Sequence, residues 1–184
     1  MTELSDYSGP FDPEFGHEKF SKQTLLKLLG AYSEYMLRID GFWYLTVMDK
    51  LGNDQAFDFD LEMWERARPY EVGAISNLLN IRGNDVATVM KYIHVCPWMQ
   101  MYDLNIDLKT SKHAVVTYLN CPTLYLLEKE GLNRERPICQ ELDAKVFSMT
   151  AHYFNPDIRI TPLKVPPRTD YNDCCCQWEY KLER

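Results

Sequence analysis

Three adjacent thiols, Cys174, Cys175 and Cys176, stand just ahead of a strand-like run that carries Trp178 and Tyr180. Cys121 and Cys139 each fall at the start of an expected helix. A helix N-terminus lowers a thiol pKa and favours the thiolate, the form that binds metal or attacks carbon. A strand carrying Cys174 and Cys176 on one face, flanked by two such helix starts, could gather Cys121, Cys139, Cys174 and Cys176 into one set. Zinc wants four such ligands, or three plus water where it is catalytic. Three uses of the thiols stay open: small buried apolar groups, a cysteine-bound zinc, or a nucleophile. In the nucleophile case Cys139 or Cys176 would attack and His113, on the same sheet, would move the proton.

Two further sets deserve the same weighing. Asp58, Glu62 and Glu65 recur at helical spacing with Asp60 nearby. Such a ladder can do acid–base work or hold a hard cation, and is otherwise a solvated helix face. Aromatic residues from both halves of the chain, among them Trp43, Trp98, Tyr102, Trp178 and Tyr180, could line an apolar ligand cavity or fill an ordinary core.

The elements that must position these groups follow from periodicity. Residues 1–20 read as an arm, because Gly9-Pro10 and Pro13 interrupt regular structure. Residues 21–96 form a helical half. Ser21 caps a first helix with Leu25, Leu28, Leu29, Tyr32 and Met36 on one face; Asp40-Gly41 is expected to break it. Pro69 is expected to split the helix that begins at Asn53-Asp54. Asn84-Asp85 caps the last helix of this half. From residue 97 to 184 the period changes to two. Tyr102, Leu104, Ile106 and Leu108 alternate with polar residues, and His113–Asn120 should pair back. Helices then start at Cys121-Pro122 and near Cys139. Strands follow at 157–163 and 174–182, the last with Cys174, Cys176, Trp178, Tyr180 and Leu182 inward and Cys175 outward. The class is α+β: a helical half packed with a four-stranded antiparallel sheet in the order β-β-α-α-β-β, within one compact domain.

Composition removes several functions. A net charge of −7 over 184 residues offers no basic face for nucleic acid. No apolar run is long enough to span a bilayer, and the start of the chain has no signal-peptide core. A cytoplasmic protein with reduced thiols is expected. No G-x-G-x-x-G, phosphate loop, G-x-S-x-G, C-x-x-C or zincin pair is present.

Two blocks carry a resemblance that covers residues 24–182. The first is Asp40-Gly41-Phe42-Trp43 with Gly52, Ala56, Asp60, Trp64 and Glu71. The second is Cys121, Glu128, Gly131, Cys139, Asn155-Pro156, Pro166-Pro167 and Cys176-Gln177-Trp178-Glu179-Tyr180. Together they resemble an uncharacterised prokaryotic family of cytosolic proteins. More distantly they are similar to L-2-amino-thiazoline-4-carboxylic acid hydrolase-like proteins and to 4-vinyl reductase-type ligand-binding domains. The resemblance implies an α+β domain that holds a small molecule, with Cys121, Cys139 and Cys176 as the relevant thiols; Cys174, Cys175 and Arg168 depart from the pattern. The expectation is a small-molecule-binding or sensing protein, as a homodimer, with a cysteine-dependent hydrolase of a small cyclic C–N substrate as the alternative.

Overall fold

The computed structural model describes residues 3–183. Its first element is a 30-residue helix, α1 (Lys22–Leu51), whose start is capped by the Ser21 side chain accepting from the Thr24 amide. The expected break at Asp40-Gly41 does not occur. A helical glycine costs only about 1 kcal/mol, and Tyr44 and Val47 are buried one turn later. Gly52, at φ 92°, turns the chain into α2 (Asn53–Leu78).

Pro69 lies inside α2 without ending it. A proline in a helix interior costs about 3 kcal/mol, but its ring here faces solvent. The opposite stripe buries Ala56, Asp60, Trp64, Arg68, Val72 and Ser76, one residue every four. Burying the apolar members alone outweighs the proline, at roughly 1.5–3 kcal/mol per large side chain. Asp85 then caps α3 (Val86–Val95) through the Thr88 amide. A 3-10 turn, Pro97–Met101, leads into the sheet.

Strands β1 (Asp103–Thr110), β2 (His113–Asn120), β3 (Ile158–Lys164) and β4 (Cys176–Leu182) form one antiparallel sheet in the order β1-β2-β4-β3. Between β2 and β3 run α4 (Pro122–Glu130), a short turn α5 (Glu135–Pro137), a π-turn at Ile138–Leu142 and α6 (Asp143–Phe154). The α+β class and the helical-then-sheet order stand as expected from the pattern.

One sheet face is dry. Ala114, Val116, Tyr118, Cys176, Trp178, Tyr180 and Leu182 on that face pack with α3 and α6. The α1–α2 hairpin covers that helical layer through α2 and α6. Residues 4–20 fold back on themselves: Leu4 bridges Phe20, and Tyr7, Phe15 and Phe20 stack together. Leu25, Leu29 and Tyr32, expected as the inward face of α1, are 37%, 49% and 54% exposed, because the described residues leave that side of the helix largely uncovered.

Candidate functional site

A partly enclosed cavity of about 200 Å³ lies where α1, α2, the 3-10 turn, α4, α6 and the sheet meet. Its walls are chiefly apolar and aromatic, with Trp64, Trp98, Tyr102, Tyr118 and Phe147 among them. Three of the four thiols proposed as a set, Cys121, Cys139 and Cys176, line it. Each arrives by a local rule. Cys121 is the N-cap of α4, its sulfur accepting from the Leu124 amide at 3.3 Å. Cys139 sits on the inward side of the π-turn, and Cys176 opens β4 on the dry face.

The helix starts do not make these thiols acidic. Burial pushes Cys121 up to about 12, against the weaker pull of the Leu124 amide. Cys139 and Cys176 are raised further, again chiefly by burial, with the Asp143 carboxylate adding to it. Losing water costs the thiolate more than a helix terminus returns. Among the described residues no three histidine, cysteine, aspartate or glutamate side chains converge as a metal-ligand set.

Cys174 and Cys175 exchange the places that strand alternation assigns them. Cys174 is half-buried and off the cavity. Cys175 is 1% exposed, its amide bonded to the Tyr118 carbonyl at 2.8 Å and its sulfur near the Tyr125 hydroxyl at 3.8 Å. The reason is that β4 begins only at Cys176, so alternation does not reach its predecessors. The loop from Pro166 to Asp173 also folds over Cys175. Arg168 in that loop donates to Glu128 at 2.8 and 2.6 Å and lies over Tyr125.

The other expected site residues divide. Trp98 and Tyr102 line the cavity. Trp178 and Tyr180 are fully buried core, with Trp178 in edge contact with the cavity-lining Phe147. Trp43 is 55% exposed and faces a separate shallow depression with Phe59, Met63 and Tyr70. His113 lies on the other face of the sheet, paired with Glu179 at 2.9 Å, and so is separated from the thiols by the sheet itself.

What residue-by-residue reasoning missed is the charge inside. Asp40 from α1, Asp60 from α2 and Asp143 from α6 all line the cavity, with Arg68, Glu130 and Arg134. Burial pushes Asp40 up to about 6, opposed by Arg68. Asp60 rises to about 7 through burial, then the nearby Asp40 and Asp143 charges, against the Trp64 indole. Asp143 rises to about 7 through burial, with Arg68 pulling the other way. The two arginines are already engaged. Arg68 lies 4.6 Å over Trp64 and donates to Glu71 at 3.1 Å. Glu71 also accepts from the Tyr92 hydroxyl at 2.5 Å and the Trp98 indole at 2.8 Å. Arg134 pairs with Glu130 and lies over Tyr44.

The signal for Asp60 was legible. It sits in the four-residue stripe with Ala56, Trp64, Arg68 and Val72, whereas Asp58, Glu62 and Glu65 lie off that stripe and are exposed. The Asp40-Gly41 pair reads as a helix break, and nothing in the sequence around Asp143 marks it as a site residue.

A family model matches residues 18–182, nearly the whole described chain. The chain belongs to the family of unknown function DUF6125. The uncharacterised family expected from the two blocks is thus found; the match gives no likeness to the hydrolase-like or 4-vinyl reductase-type domains. No curated protein and no solved structure matches the chain. For this DUF6125 member, the blocks that carried the resemblance also supply the cavity: Asp40, Asp60 and Trp64 from the first, Cys121, Cys139 and Cys176 from the second.

Proposed function

We propose that this DUF6125 protein binds or senses a small molecule held in the cavity between its helical half and its sheet. One observation carries the reading: three carboxylates from three different helices, buried Asp60 and half-buried Asp40 and Asp143, line one aromatic-walled space. Burying an unpaired carboxylate is costly, and a folded core gains nothing from three of them. Large apolar cavities with a few convergent polar groups and displaced pKa values are the usual form of a ligand site. The hydrolase alternative lacks such support, since the thiols are held protonated and His113 stands across the sheet.

A cytoplasmic setting goes with this reading, because all six cysteines are free thiols. No described helix is long and apolar enough to cross a membrane. The uncovered Leu25, Leu29 and Tyr32 face of α1 supports a homodimer, which sedimentation equilibrium tests.

A fragment screen read by amide chemical shifts tests the ligand reading. Saturable, one-to-one shifts centred on Trp98, Tyr102 and Asp143 are expected. A screen with no such shifts, or a crystal structure in which side chains fill the space, would contradict it.

A further inference from the structure

Resting on the ligand reading above, we infer that the cavity takes an organic cation: a protonated amine carried on a small apolar or aromatic body. The argument is a charge inventory of the walls. The charged side chains that face the space are Asp40 from α1, Asp60 and Arg68 from α2, Glu130 and Arg134 from α4 and the loop after it, and Asp143 from α6. Arg68 is committed to Glu71, 7% and 13% exposed respectively. Arg134 is committed to Glu130. Among the described residues no ion pair reaches Asp40, Asp60 or Asp143. Asp60 is only 7% exposed, so bulk water does not compensate it. The remaining titratable groups on the walls, the three thiols and the Tyr44, Tyr102 and Tyr118 hydroxyls, are kept neutral by burial. The space therefore has an uncancelled negative lining.

The neutral wall agrees. Two of the aromatic faces are already taken by cations of the protein itself, Trp64 by Arg68 and Tyr44 by Arg134. Among the described residues no cation lies over Trp98 or Tyr102, which line the cavity in edge contact with Trp64 and Tyr118, and aromatic rings of this kind attract a desolvated ammonium. A bare metal ion suits the site poorly, since no three donors converge on a point. An organic cation needs no such convergence: its charge is met by carboxylates around it and its body by the apolar wall. An anionic ligand would add to the uncancelled charge; against three carboxylates it would meet only the spare donors of arginines already paired, as in Arg68, whose Nη1 is taken by Glu71 while its buried Nε is unpartnered.

Binding of a cation draws the carboxylates toward their ionised form. Protons are released on binding near pH 6–7, and affinity rises with pH through that window.

The test is a matched set of probes titrated into the full chain by calorimetry and amide shifts at pH 8. Each of several bodies (benzyl, phenethyl, cyclohexylmethyl) is used as its amine, its alcohol and its carboxylate. The best amine is expected to bind at least about tenfold more tightly than its alcohol, with the carboxylate weaker still. Asp60→Asn should weaken the amine about tenfold and leave the alcohol unchanged, whereas Asp58→Asn, on the exposed face, should change neither. Asp143→Asn provides a second variant should Asp60→Asn not fold. An alcohol or carboxylate that binds as tightly as its amine, or an amine indifferent to both Asp variants, would overturn the cation assignment and leave the ligand cavity standing. Silence from every member of every set would remove the ligand reading as well.

Discussion

The cavity is lined by two chemically different sets of acids, and the same force acts on both with opposite results. Cys121, Cys139 and Cys176 from the C-terminal half are the thiols; Asp40 and Asp60 from the helical half, with Asp143 from α6 near the thiols, are the carboxylates. Burial raises every one of them, because removing water penalises the anion. A thiol that starts near 9 is carried out of the physiological range and becomes inert. A carboxyl that starts near 3.8 is carried to about 6 or 7 and becomes responsive near neutrality. The residue type that looks most reactive in the sequence is therefore the quieter one in the fold.

The largest effect expected from disturbing this contrast falls on the carboxylate side. Arg68→Met removes the cation that moderates Asp40 and Asp143 and strands Glu71 beside Tyr92 and Trp98. Breaking a buried pair from one side costs about 3–5 kcal/mol, to be read by denaturant unfolding at pH 7. Smaller, and of opposite sign, is Asp60→Asn. A carboxyl raised by folding binds its proton more tightly in the native state, so its contribution is complete below about pH 4 and is lost as pH climbs through about 7. Removing that charge should stabilise the protein by roughly 1–3 kcal/mol at pH 8 and do nearly nothing at pH 4. Wild-type stability should fall correspondingly from pH 5 to pH 8.

On the thiol side the predicted effect is smaller still. Iodoacetamide at pH 7.5, followed by mass spectrometry of the folded protein, should label half-exposed Cys174 first. Cys139, Cys175 and Cys176 should lag by at least about tenfold, equivalent to about 1.4 kcal/mol. Fast labelling of Cys139 or Cys176 would erase the contrast between the two sets.

How much of this could be read from residues alone depends on whether the controlling physics is local. Caps and strand periods are local. Ser21, the Asn84-Asp85 pair and Cys121 start their helices where expected, and β2 spans the expected His113–Asn120. Gly41 and Pro69 were misleading for the opposite reason. Their local penalties of about 1–3 kcal/mol are overridden by the buried stripe of α2 and the packing of Tyr44 and Val47, which only tertiary structure supplies. Of Cys121, Cys139, Cys174 and Cys176, expected as one set, the first two and Cys176 line the cavity and Cys174 does not. Their ionisation could not be read, because it depends on desolvation. Asp40 and Asp143 come from helices 103 residues apart in sequence, by subtraction of their numbers, and nothing nearby in the chain marks them as neighbours.

The contrast between the two sets is tested most directly by a pH titration of the carboxyl carbons in aspartate-labelled protein, followed by NMR from pH 3 to 9. Thiolate absorbance near 240 nm is recorded on the same samples. Carboxyls of Asp40, Asp60 and Asp143, assigned through their Asn variants, are expected to titrate between about pH 6 and 7 while Cys121, Cys139 and Cys176 yield no thiolate below pH 9. Carboxyls that all titrate near 4, with thiolate from those cysteines growing in before pH 9, would contradict the account.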